Sequence, residues 1–165
     1  MADSDPLDDF VALSAILTGI AADKLHPQLD VYETAAEYLA YATQHGGAVF
    51  TQLMGIYTQN SSQPPAAIAA LVFADQQSPV AYMAKAVTLM WYLGSWYDPA
   101  GLKSYYDIVT QGKQAFAPSV VVSSNAYTQG WAWKVGQAHP MGYSDWRFGY
   151  WNTPPQPLGD FIGGN

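Results

Sequence analysis

Apolar residues recur at Leu7, Phe10, Val11, Leu13 and Leu17, the spacing of one helix face. Asp5-Pro6 precedes them as an N-cap and a proline at the first helical position, where a missing N–H does no harm. Asp8 and Asp9 put negative charge in the first turn, which suits the helix dipole, and Thr18-Gly19 supplies a stop. A second helix is predicted from near Pro27 to His45. Val31, Ala35, Tyr38, Leu39 and Ala42 form its apolar stripe, and Gly46-Gly47 should end it. A third is expected over residues 48–58, with Val49, Phe50, Leu53, Met54 and Tyr57 as its apolar positions. Residues 60–65 (Asn-Ser-Ser-Gln-Pro-Pro) read as a loop, and residues 65–75 as a fourth helix.

Ser78-Pro79 opens a fifth helix, predicted to run to about Tyr97. Its apolar residues are nearly continuous, from Val80, Tyr82 and Met83 through Val87 to Leu89, Met90, Trp91, Tyr92 and Leu93. A helix apolar almost all round is buried, or is sandwiched between its own domain and another chain, so this one is expected to be central. After Asp98-Pro99 the pattern becomes irregular. Residues 104–109 fit a short helix or a strand, and residues 120–122, all valine, are too short to anchor a sheet without a partner strand. Ser124 or Asn125 can cap one more short helix over residues 126–137. From Ala138 onward Gly, Pro and aromatic residues dominate, as in His139-Pro-Met-Gly and Phe148-Gly-Tyr-Trp. The expected fold class is mainly α: one compact multi-helix domain over residues 1–165, with an extended, aromatic-rich, non-repetitive C-terminal arm over residues 137–165.

Composition sharpens this picture. A chain of 165 residues fits one domain and can bury roughly 70% of its unfolded surface. Half of its residues are apolar, enough to offset the entropy of ordering. It has no cysteine, which excludes disulfides, thiolate metal sites and Cys-x-x-Cys-His haem attachment in this chain. The net charge is −7 and is unevenly placed. Residues 1–37 hold eight acids against one base, Lys24, whereas residues 38–147 hold only four acids and five bases. Exposed surfaces are normally richer in charge than that central stretch, while the centres of protein interfaces are depleted in it. A neutral surface of Gln, Asn, Ser and Thr is the bland alternative. Six scattered bases on an acidic chain give no electrostatic footprint for nucleic acid. The apolar runs over residues 10–22 and 81–94 are shorter than the roughly 20 residues a membrane span needs. Acids rather than bases precede the first of these, unlike a secretory signal, so the chain is expected to be a mature form with an added Met1.

Candidate chemistry is sparse. The sequence holds no Gly-x-Gly-x-x-Gly, no Walker sequence and no His-Glu-x-x-His, and Gly142-Tyr-Ser-Asp-Trp146 lacks the second glycine of a nucleophile elbow. His26 and His45 stand beside Pro27 and Gly46 and read as solvated loop histidines. His139 could ligate a metal beside Met141 or transfer a proton, but no second ligand stands at helical spacing, so a structural hydrogen bond is favoured. Eight of the 24 aromatic residues fall within residues 127–151. They could pack on the chain's own helices, stack on sugar rings, or anchor a protein interface, where Trp, Tyr and Arg are the usual anchors. The interface is favoured over the sugar platform because stacking surfaces usually sit on rigid strands. The expected partner-facing residues are Trp91, Trp131, His139, Met141, Tyr143, Phe148, Tyr150 and Trp151.

Three segments taken in order carry a family resemblance: residues 10–19 (Phe-Val-Ala-Leu-Ser-Ala-Ile-Leu-Thr-Gly), Trp91-Tyr-Leu-Gly94, and the C-terminal set Tyr127, Ala138-His-Pro-Met-Gly142, Phe148-Gly-Tyr-Trp151 and Pro154-Pro155. Together they resemble the small subunit of membrane-bound, FAD-dependent sorbitol dehydrogenases, with the glucose and fructose dehydrogenase small subunits more distant. The resemblance implies a helical subunit of a bacterial complex, located in the periplasm and peripheral at the inner membrane. A large FAD-containing subunit would oxidise the sugar or polyol, and a membrane-associated multihaem cytochrome c subunit would carry the electrons onward. This chain would hold neither FAD nor haem and would have no catalytic residues. Its implied role is to bind and stabilise the large subunit and to help mature or export it. Family precursors often carry a twin-arginine leader, which this sequence does not show. The alternatives of a different class are a sugar-binding module that uses the aromatic C-terminal arm and, more weakly, a free-standing hydrolase.

Overall fold

Asp5 accepts a hydrogen bond from the Leu7 N–H at 2.9 Å and starts α1, Pro6–Thr18, as its sequence predicts. Gly19 ends that helix at φ 74°, returning its N–H to the Ala15 carbonyl. In this computed structural model, which describes residues 5–136 and 138, a short α2, Ala22–Leu25, follows. The next helix, α3, is Thr34–Asn60. It corrects the sequence expectation at both ends. It starts seven residues later than Pro27, because the Asp30 carboxylate takes the Tyr32 and Thr34 N–H groups at 3.0 and 2.9 Å and holds the intervening backbone in a turn. It also does not end at Gly46-Gly47. Gly47, at φ 51° and ψ −140°, kinks the helix, and a second limb continues from Ala48. Only glycine adopts that conformation without steric cost.

Pro65–Val72 forms α4, which stops before the expected Asp75. Asp75 instead accepts the Gln77 N–H in a side-chain turn at 2.8 Å. α5, Pro79–Leu93, is capped by Ser78 as expected and is the central helix: nine of its fifteen residues are buried. It ends four residues earlier than predicted. Gly94, at φ 63°, turns the chain beneath the Ala126 carbonyl, so close that any Cβ would overlap it. Ser95–Tyr97 then forms β1, which pairs antiparallel with β2, Ser119–Val121, with Trp96 opposite Val120. The valine run thus has the partner strand that its length requires. Asp98 caps α6, Pro99–Val109, accepting from the Gly101 N–H, which settles the ambiguous residues 104–109 as helix. The last expected helix is two short ones, α7, Ser124–Gln129, and α8, Trp131–Val135, with Ser123 as the cap of the first.

The described elements share one core around α5, and the fold is mainly α. Phe10 of α1 stacks on Trp91 of α5, and Phe50 of α3 meets Phe10 edge-on. The Tyr92 hydroxyl donates to the Thr18 carbonyl at 3.0 Å, tying the ends of α5 and α1 together. Ser123 donates to Glu37 at 3.0 Å while capping α7, which locks the chain after β2 onto α3. Among the described residues, no helix is long and apolar enough to cross a membrane.

Candidate functional site

Six of the residues expected at a partner interface, His139, Met141, Tyr143, Phe148, Tyr150 and Trp151, lie outside the described residues, as does the rest of the C-terminal arm apart from Ala138. The other two are placed, and neither is offered to a partner. Trp91 is 2% exposed, between Phe10 and Tyr38 in the chain's own core. Trp131 is 6% exposed, with the Lys134 ammonium 4.5 Å from its ring centre. The physical reason is the same for both. Trp91 lies on α5, which α1, α3, α6 and α8 surround, and Trp131 opens α8, which packs on α5, so both rings face the interior of this chain.

The surface that is offered lies elsewhere. Leu29 and Val31 stand 91% and 89% exposed in the turn ahead of α3, flanking the half-buried Asp30. Phe116 stands 82% exposed ahead of β2, and Val120 and Val121 on that strand are also exposed. No charged residue falls between Lys113 and Lys134, so this second region is apolar and neutral. Apolar residues scattered singly on a surface mean little, whereas contiguous exposed apolar patches mark interaction sites, and Phe116, Val120 and Val121 follow one another closely along the chain. The sequence pattern hid Leu29 and Val31, since Val31 fits the stripe of a helix that in fact begins three residues later.

Between the kink of α3 and the starts of α5 and α6 lies a cleft of about 260 Å³. Val49, Pro79, Tyr82, Met83 and Pro99 give it apolar walls, and His45, Asp98 and Lys103 bring polar groups to it. Gly46 lines it as well. A side chain there would overlap Phe50 and press on Met83, so the bare backbone is what leaves the space open. The polar groups are already engaged. Asp98 caps α6, Lys103 pairs with Asp107 at 2.8 Å, and the His45 ring stacks on Tyr41. The hydrogen bond to Asp107 raises the pKa of Lys103 above the ordinary lysine value. The cleft can therefore take a compact apolar group, such as a partner's side chain.

Burial, with the neighbouring Asp9, also raises the pKa of the Tyr57 hydroxyl, and two other groups shift for the same main reason. Burial, helped by the neighbouring Glu37, pushes the Tyr38 hydroxyl far up, and burial pulls Lys134 down while Asp30 opposes the change. Among the described residues, no three His, Asp or Glu side chains gather closely enough to hold a metal ion. No protein family, curated protein or solved structure matches the chain.

Proposed function

We propose that this chain is a non-catalytic accessory subunit of a bacterial FAD-dependent sugar or polyol dehydrogenase. In this reading it binds and stabilises the large FAD-containing subunit and helps its maturation or export. A multihaem cytochrome c subunit completes the complex, which sits in the periplasm, peripheral at the inner membrane. The observation that carries the reading is the near-complete exposure of Leu29, Val31 and Phe116 in a chain whose central stretch is poor in charge. Aliphatic and aromatic groups held in water are costly unless a partner covers them, at about 25 cal/mol for each Å². The ordered segments that resemble dehydrogenase small subunits supply the class of partner.

Co-expression tests it. The chain is produced with and without a large FAD-containing polyol dehydrogenase subunit, and the pair is followed by size exclusion with flavin absorbance. The expected result is co-elution and a higher yield of flavin-loaded large subunit when the chain is present. A chain that elutes alone, beside a large subunit whose yield and flavin content do not change, would overturn the reading.

A further inference from the structure

We propose that the outer edge of β2 pairs with the same edge of a second copy of this chain, joining the sheets of both copies into one continuous sheet about a two-fold axis at Val120. Such a dimer needs no other protein and stands apart from the accessory-subunit reading.

The register decides which backbone groups face outward. Ser95, Trp96 and Tyr97 lie opposite Val121, Val120 and Ser119. The Val122 N–H donates to the Gly94 carbonyl at 3.0 Å, next along the ladder from Ser95 and Val121. Hydrogen-bonded and non-hydrogen-bonded pairs alternate along an antiparallel ladder. Gly94 with Val122 and Trp96 with Val120 are therefore the bonded pairs. Ser119 and Val121 turn their N–H and C=O groups away from β1, and these groups have no hydrogen-bond partner among the described residues. Val120 and Val121 are 60% and 51% exposed, and successive residues of a strand point to opposite faces, so neither face of β2 is covered. An open edge that carries β-branched residues and no charge is a template for another strand. β1 offers no such edge, because Ser95 and Trp96 are buried, so pairing closes at two copies instead of running on as a filament.

A two-fold contact sets a patch against itself, so a charged edge would forbid it. No charged residue stands between Lys113 and Lys134, and Glu37, the acid that reaches the end of β2, is held by the Ser123 hydroxyl at 3.0 Å. With the axis at Val120, the Ser119 N–H of each copy meets the Val121 carbonyl of the other, and each Val121 N–H meets a Ser119 carbonyl. Every outward group is then satisfied. The two Val120 side chains face one another as a non-hydrogen-bonded pair, the closer kind, where β-branched residues pack well. A ribbon of two short strands is marginal alone, and pairing supplies the further strands that a stable sheet needs. A foreign strand could bond the same backbone groups, but the second copy is the occupant whose edge is itself seen to be complementary, neutral and free.

Sedimentation equilibrium of the full chain tests this from about 1 µM to about 1 mM, with about 0.15 M salt present to screen the net charge. Wild type should pass from monomer to dimer across that range. Val121→Pro removes only an outward N–H and sets a ring at the edge, where a strand tolerates proline, so it should stay monomeric with its thermal melt little changed. Val120→Lys and Val120→Glu should each stay monomeric, because like charges would stand face to face, whereas an equimolar mixture of the two should dimerise. That rescue reports the axis at position 120 and does not depend on how well the proline variant folds. The Ser119 and Val121 amides should gain at least about tenfold protection from hydrogen exchange as the dimer forms. Wild-type chain that stays monomeric throughout overturns the proposal. So does a dimer that any of the three variants leaves intact, or a charge-swapped mixture that stays monomeric. Protection of the same two amides already present in the monomer would mean that the edge is covered within the chain, and would overturn it too. Monomeric wild type whose binding to a large FAD-containing subunit is lost in Val121→Pro would give the edge to a foreign strand, with the same consequence.

Discussion

The Tyr38 ring stands edge-on to Trp91, with ring centres 4.8 Å apart and planes at 82°, and this contact joins α3 to the central helix. Trp91 also stacks on Phe10, so one side chain bridges α1, α3 and α5. Trp91→Ala should therefore destabilise the fold by about 3–5 kcal/mol, the usual cost of emptying a core aromatic site. The indole N–H has no hydrogen-bond partner although it is buried. Trp91→Phe removes that unsatisfied donor while keeping an aromatic ring, so the two effects offset and the loss should stay below about 1.5 kcal/mol. Urea denaturation of the two variants checks this. A Phe variant as damaged as the Ala variant would mean that the N–H is bonded in solution.

The same Tyr38 sets an alkaline limit. Its hydroxyl donates to the Ala126 carbonyl at 3.4 Å and titrates far above the ordinary value, chiefly because it is buried. The folded state thus holds this proton more tightly than the unfolded chain, whose tyrosines release it near pH 10. The contribution is complete below that pH, and it declines as pH rises above it, because stability falls wherever the native state binds more protons. Lys134, lowered by burial, acts in the opposite sense in the alkaline range. Comparison with Tyr38→Phe isolates the tyrosine. The stability difference between wild type and variant should be flat from about pH 7 to 9.5 and should shift in favour of the variant above about pH 10. A parallel pair of curves through that range would show that Tyr38 does not titrate with unfolding.

Gly94 is the position least able to change. It combines φ 63° with a carbonyl, that of Ala126, where a side chain would begin. Gly94→Ala should cost more than about 3 kcal/mol, since left-handed strain and displacement of α7 add. Gly112 has a similar φ of 74° but open space around it, so Gly112→Ala should cost only about 1 kcal/mol from the backbone alone. Thermal unfolding of the pair separates conformational strain from steric contact.

Much of this architecture is legible in local signals. Asp5-Pro6 and Ser78-Pro79 each mark a helix start, because a capping oxygen followed by proline needs no information from elsewhere in the chain, whereas Asp98-Pro99 carries the same signal ahead of a segment whose irregular apolar pattern masked the helix. What the sequence hides depends on distant partners. The valine run becomes β2 only because residues 95–97, more than twenty positions earlier, lie beside it. Gly46-Gly47 reads as a stop but serves as a kink, because burial of Phe50 and Leu53 keeps the second limb in line with the core. Trp91 looks like an interface anchor by composition, yet only the packing of α1 and α3 reveals it as core. Val31 is the most informative failure. Its apolar character suits a helix stripe, and a carboxylate one residue earlier overrides that preference and turns it outward. Local rules that fail without a compensating gain in packing mark positions held for another reason.

Asp30 is the residue through which that override acts, and its substitution should separate stability from docking. Its two carboxylate oxygens accept from Tyr32 and Thr34, and the second bond serves the start of α3, where Glu33 gives no side-chain cap. Asp30→Ala removes both and should cost about 1–2 kcal/mol, the range for loss of a helix cap. Asp30→Asn keeps one accepting oxygen, because the amide nitrogen can only donate, and should cost about half as much. Hydrogen exchange provides the local readout. The Tyr32 and Thr34 amides should lose protection in Asp30→Ala, while amides in the middle of α5 exchange more slowly in both variants because they open only with global unfolding. If the turn exists to hold Leu29 and Val31 outward, Asp30→Ala should also weaken partner binding with both aliphatic residues still present. Unchanged affinity beside lost protection would show that the turn need not be pre-formed for partner binding.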